Sequence, residues 1–234
     1  MHNSMQFVLA NPTEGEEAEF NDWYAGPHME HAMETPGIFG GQRFHRQPGP
    51  WPAGKHEYLT IWELDDPGAT LEALAKVKFT DAMPISSAIN MDTVQPPTMW
   101  HRASVRSSSR TPADSSARST IVLVLANALP DEEDLFEDTI MAESLAELAD
   151  QPGVLAAHLF TLGEEQIRGN ARKYRFGLLI ELWDADAITA LEPLIPALPH
   201  LNSESWFAPV FSALAPRTTP ATFHDDQARL AAGL

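Results

Sequence analysis

The 234-residue chain carries 15 Lys and Arg against 33 Asp and Glu, a formal net charge of -18, and has no cysteine. That excludes disulfides, thiolate metal sites and a cysteine nucleophile, and the acidic balance disfavours nucleic acid or an anionic membrane as a partner. With 44% hydrophobic residues the chain has the material for two small domains or one double-length one. No apolar run approaches the roughly 18–20 residues that span a bilayer, and the first residues lack the pattern of a secretory leader, so a cytoplasmic location is expected.

In chain order, Met5 to Ala10 reads as a short buried strand broken by Asn11-Pro12. The acidic run Glu14, Glu16, Glu17 and Glu19 then suits a helix N-terminus, and a helix is predicted from Glu16 to Glu34. Gly26-Pro27 predicts an irregularity inside it, because proline disfavours helical geometry in the residue before it. Pro36-Gly37 closes the helix.

Strands follow at Ile38–Arg46 and Glu57–Leu64, then a helix at Ala69–Phe79 with a further helical piece through Ala88, and a strand at Met99–Val105. Strict alternation in the second strand puts Ile38 and Phe44 on one face and Arg43 and His45 on the other. If Ile38 and Phe44 pack beneath the helix, Arg43 and His45 point to the opposite side, joined by Tyr58, Thr60 and Trp62 from the neighbouring strand.

The order repeats. At a shift of 116 residues Val8-Leu9-Ala10-Asn11 meets Val124-Leu125-Ala126-Asn127, Phe20 meets Phe136, Pro36-Gly37 meets Pro152-Gly153, and Phe44 meets Phe160. At a shift of 118, Ile61-Trp62-Glu63-Leu64 meets Leu179-Ile180-Glu181-Leu182. Self-similarity at a fixed offset marks an internal duplication. The second copy predicts strands at Thr120–Ala128, Val154–Leu162, Tyr174–Trp183 and Trp206–Leu214, with helices at Glu132–Asp150 and Ala185–Ile195. Residues 1–106 form the first repeat, 107–118 a Ser-rich linker, 119–216 the second repeat, and 217–234 a surface-bound tail with a last helix at Asp225–Ala232.

Strand, helix, strand, strand, helix, strand is the ferredoxin-like order, so the fold class is α+β: two ferredoxin-like repeats closing into one barrel. Asn11-Pro12, Phe20-Asn21-Asp22-Trp23-Tyr24, His28, Pro36-Gly37 and Arg43-Phe44 resemble the EthD-like branch of the dimeric α/β-barrel superfamily. Members are usually single repeats that dimerise, so the resemblance implies an internal pseudo-dimer here. The superfamily holds dehydratases, isomerases, cyclases, decarboxylases, cofactor-free monooxygenases and heme enzymes, and fold alone does not choose among them.

The positions of the second copy that match Trp23, Tyr24, His28 and Arg43 are Thr139, Ile140, Ser144 and Leu159. One pocket is therefore expected, built in the first repeat and walled by the second. Its catalytic candidates are His28 as acid or base, Tyr24 one turn earlier as its hydrogen-bonding partner, and Arg43 as anchor for a carboxylate or enolate. Trp23, His45, Tyr58, Trp62 and His101 are candidate substrate contacts.

Competing readings are a core role for Trp23, a helix histidine bonded to a loop for His28, and a buried ion pair of Arg43 with Glu63 or Asp22. His28 and His31, with Glu30 and Glu34 nearby, have a spacing compatible with zinc or iron, but Glu30 points elsewhere on the helix, and no metal is assigned. No nucleotide loop or nucleophile elbow is present. The expectation is a cofactor-free isomerase, dehydratase or other lyase acting on a small conjugated or aromatic acid or ketone. The alternatives are a cofactor-free monooxygenase and a non-catalytic binding protein. Whether chains pair further, as a homodimer, is left open.

Overall fold

The computed structural model describes residues 4–108, 119–184 and 186–224. The first repeat runs β1 (Ser4–Ala10), α1 (Glu17–Trp23), a π-turn at Tyr24–His28, α2 (Met29–Glu34), β2 (Ile38–Gln47), β3 (Tyr58–Leu64), α3 (Pro67–Val77) and β4 (Thr98–Arg106). The second runs β5 (Thr120–Ala128), α4 (Glu133–Thr139), a π-turn at Ile140–Ser144, α5 (Leu145–Ala149), β6 (Val154–Leu162), β7 (Phe176–Leu182), α6 (Ala187–Leu191), β8 (Leu201–Phe207) and β9 (Val210–Ala213).

The duplication extends to single hydrogen bonds. Asn11 Nδ2 donates to the Lys55 carbonyl at 2.9 Å and its Oδ1 accepts from the Glu57 amide at 2.7 Å. Asn127 makes the same pair with Lys173 and Arg175, at 3.0 and 2.9 Å. Each asparagine thereby ties the end of its first strand to the start of its third, satisfying backbone groups that the ladder leaves over.

All the pairings between strands are antiparallel, in the order β4-β1-β3-β2 in one repeat and β6-β7-β5 with β9 in the other. Two seams, β4 against β6 and β2 against β9, join the repeats into one closed barrel. The predicted last strand is split: β8 pairs one end of β5 and β9 the other, with Ala208-Pro209 between them. Proline has no N–H for the ladder, so the strand breaks there.

Phe7, Phe44, Ile61, Leu123, Phe160 and Leu179 are fully buried inside the barrel. They are three repeat-equivalent pairs, which is what a pseudo-two-fold axis requires, and Phe7 meets Phe160 edge-on at 5.4 Å. Two further cores lie outside the barrel wall, each between one repeat's helices and its sheet.

The structure corrects the predicted facing. Ile38 and Phe44 lie on opposite sides of the sheet, because the register shifts between Ile38 and Gly40, and a bulge reverses the alternation beyond it. Phe44 enters the barrel while Ile38 packs under the helix. Arg43 therefore faces the helices, with Tyr24 and Tyr58 around it, and not the barrel interior.

Two further expectations change. Residues 78–88 do not continue as a helix; Phe79 takes φ 64° and the segment carries only an isolated bridge, Lys78 to Met83. Pro84, Ser86-Ser87 and Pro96-Pro97 supply the break signals. The tail is also more than a surface strap: Thr218 bridges Gly41, Arg217 Nε donates to Glu63 Oε1 at 2.8 Å, and Phe223 is buried against the first repeat's helix core. The predicted helix Asp225–Ala232 and most of the linker lie outside the described residues.

Candidate functional site

The irregularity expected at Gly26-Pro27 is a full π-turn, Tyr24–His28. Proline alone does not cause it, since the second repeat forms the same turn at Ile140–Ser144 without glycine or proline. The i→i+5 closure brings residues five apart onto one face. Trp23 and His28 thereby stack, ring centroids 4.5 Å apart and planes at 24°, whereas an α-helix would separate them. Tyr24 meets the same imidazole edge-on at 4.6 Å.

These rings form one end of a cavity of about 120 Å³, open at its mouth, between the first repeat's helices and its sheet. Trp62 and Gln6 floor it from β3 and β1, and Leu74, Met83, Ile89 and Met91 supply much of its apolar wall. Its lining suits a small, largely apolar ligand. In the second repeat Ile140, Leu159 and Ile180, which replace Tyr24, Arg43 and Trp62, are fully buried in one packed core.

Burial holds the His28 imidazole down to about 4, with the nearby His31 and Arg43 charges adding to the effect. The ring is thus neutral at physiological pH and able to accept a proton. Burial pushes the Tyr24 phenol up, against hydrogen bonds from the Thr60 and Trp62 side chains and the Arg43 charge. Tyr24 therefore stays protonated.

Trp23 Nε1 and His28 Nδ1 are buried without a hydrogen-bond partner among the described residues. An unpartnered buried polar atom costs about 1–3 kcal/mol. Retaining two of them in adjacent stacked rings marks a place where packing alone does not govern the sequence.

The other candidates stand apart from this cavity. Arg43 lies behind Tyr24, its guanidinium 4.4 Å from that ring centroid, and Nη2 donates to Asn21 Oδ1 at 2.8 Å. Asn21 Nδ2 donates on to Tyr58 Oη at 3.1 Å, and Tyr58 to Glu17. Arg43 is thus neither in the cavity lining nor in an ion pair with Glu63, whose oxygens take Arg217. His45 lies against Tyr58 at 4.9 Å. His101 sits at the β4–β6 seam, bonded through Nε2 to Ser104 Oγ at 2.5 Å, and Ser104 to His158 Nδ1 at 2.7 Å. His31 lines a separate depression with Glu34, and no group of three metal-ligating side chains gathers among the described residues.

Sequence reasoning missed four contributors: Gln6, Lys78, the Met83–Val94 wall and Arg168 from the β6–β7 connection. The alternation of β1 places Gln6 opposite Phe7 and could have found it. Arg168 carries no local signal.

No protein-family model matches the chain, and no curated protein matches it in sequence. In three dimensions it superposes on a protein described as anthrone oxidase-like, with a TM-score of 0.65 and 11% identity over 94% of this chain and 93% of that one. A protein named as a monooxygenase in Fusobacterium nucleatum superposes at 0.59 and 11% identity, covering 93% and 95% of the two chains. Another so named, from Lactobacillus acidophilus, gives 0.56 at 11%, covering 94% and 97%. The fold is a dimeric α/β barrel. Two repeats of one chain supply what two subunits supply in a true dimer, and no helix among the described residues is long and apolar enough to cross a membrane.

Proposed function

We propose that the chain is a cofactor-free oxygenase of the EthD-like branch that oxidises an acidic C–H of a flat aromatic or polyketide-like ketone. The observation that carries this reading is the meeting of a neutral imidazole, His28, and a protonated phenol, Tyr24, at one end of a largely apolar cavity. His28 takes a proton from a methylene next to the carbonyl, and Tyr24 donates a hydrogen bond to the enolate oxygen that forms. Trp23 and Trp62 bracket the planar ring system. The enolate carbon gives its electrons to dioxygen, and loss of water from the resulting hydroperoxide leaves a new carbonyl: one CH2 and one O2 become one C=O and one H2O. The substrate supplies all the electrons, so no external reductant enters.

The names of the superposed proteins support oxygenation over the isomerase or lyase reading, in which the same proton moves and returns without oxygen. Oxygen uptake with anthrone as probe separates them. Uptake of one O2 per ketone formed is expected; turnover without uptake overturns oxygenation, and tight binding without turnover assigns a binding protein.

A further inference from the structure

We propose that Lys78 and Arg168 form an anion clamp at the cavity mouth that selects substrates carrying a carboxylate on the aromatic frame. This rests on the reading of the cavity as the substrate site. Lys78 follows the end of α3, in the first repeat, and Arg168 lies in the β6–β7 connection of the second; both line the cavity. The clamp is thus assembled across the repeats.

What sets these two cations apart is their shared place in the cavity lining without a carboxylate, since the other unpaired cations lie outside it. Arg46, Lys76, Arg102 and Arg217 each pair with a glutamate, and Arg43 with Asn21. Neither Lys78 nor Arg168 makes an ion pair among the described residues, in a chain with 33 acidic side chains to draw on. Both are partly buried. Burial and the charge of Arg168 lower the Lys78 ammonium, so holding the two cations together costs stability that a bound anion would return.

The geometry leaves donors to spare. Arg168 Nη1 donates to the Met91 carbonyl at 3.0 Å, which fixes the guanidinium and leaves the rest of its fork for a planar carboxylate. Lys78 Nζ lies 5.8 Å from the Phe79 ring centroid, over an exposed aromatic at the lip. The chain's net negative field reaches only about 8 Å at physiological salt, so two local cations can outweigh it at the mouth.

Calorimetric titration of wild-type protein, Lys78→Met and Arg168→Met with anthraquinone-2-carboxylate and its uncharged carboxamide tests the clamp. The carboxylate should bind about tenfold or more tightly than the carboxamide in wild type, and each substitution should remove most of that preference in a protein that circular dichroism shows to be folded. Equal affinity of the two ligands in wild type, or an undiminished preference in both variants, would overturn the clamp alone. Failure of both ligands to bind wild type would overturn the substrate cavity itself, and the clamp with it.

Discussion

His28 lies flat on Trp23, five residues earlier in the chain, at 4.5 Å between ring centroids. That pairing exists only because Tyr24–His28 closes as a π-turn, which accommodates one residue more than an α-turn. Trp23→Ala should remove the stack and leave the π-turn in place. We expect a folded protein, by circular dichroism, that binds anthraquinone ligands at least about tenfold more weakly. Unchanged affinity in Trp23→Ala would show that the stack does not shape the site.

The depressed His28 titration sets a pH signature. With the folded imidazole at about 4, against an ordinary 6.5, the unfolded chain binds more protons between those values. The contribution of His28 to stability is therefore full above pH 6.5, falls as pH drops towards 4, and is constant below, by at most about 3 kcal/mol. Denaturant midpoints of wild type and His28→Gln should converge across that window as pH falls. The acid limb of kcat/KM should likewise lie near 4, and a limb near 6.5 would contradict a desolvated His28.

Arg43 is expected to be a stability residue. Replacing it with Met removes the bonds to Asn21 and unlocks the Asn21–Tyr58–Glu17 chain, which should lower stability by about 2 kcal/mol. The carboxylate preference of ligand binding, assigned to Lys78 and Arg168, should survive. Its loss in folded Arg43→Met would return Arg43 to the anchoring role expected from sequence.

Gly37 takes φ +90°, and a Cβ there would lie 2.0 Å from Thr70 Oγ1. Gly37→Ala should cost more than about 2 kcal/mol in chemical denaturation. Gly26→Ala, in open space and without positive φ, should be close to neutral, which separates backbone strain from any general effect of the exchange.

Much of the fold was legible because duplication wrote it twice. Asn11 and Asn127, Pro36-Gly37 and Pro152-Gly153, and Phe44 and Phe160 mark equivalent turns and core positions, and the ferredoxin-like order followed from them. Facing failed at Ile38, where a bulge beside Gly40-Gly41, the residue type that marks one, reversed the alternation. That inversion moved Arg43 to the helix side, where packing against Tyr24 and bonding to Asn21 took it out of the cavity.

His28 and Tyr24 were readable as a pair because four-residue spacing on a helix survives the π-turn; the Trp23 stack was not, since it depends on that turn. Lys78 and Arg168 were invisible for a different reason. They lie 90 residues apart in different repeats, and only closure of the barrel brings them to one cavity.

Proton abstraction by His28 is tested most directly by deuterium loss from anthrone labelled at its methylene carbon, followed anaerobically by NMR so that oxygen chemistry cannot intervene. Wild-type protein should wash the label out well above the buffer rate, and folded His28→Ala should fall back to that rate. Equal exchange by the two proteins would contradict His28 as the base.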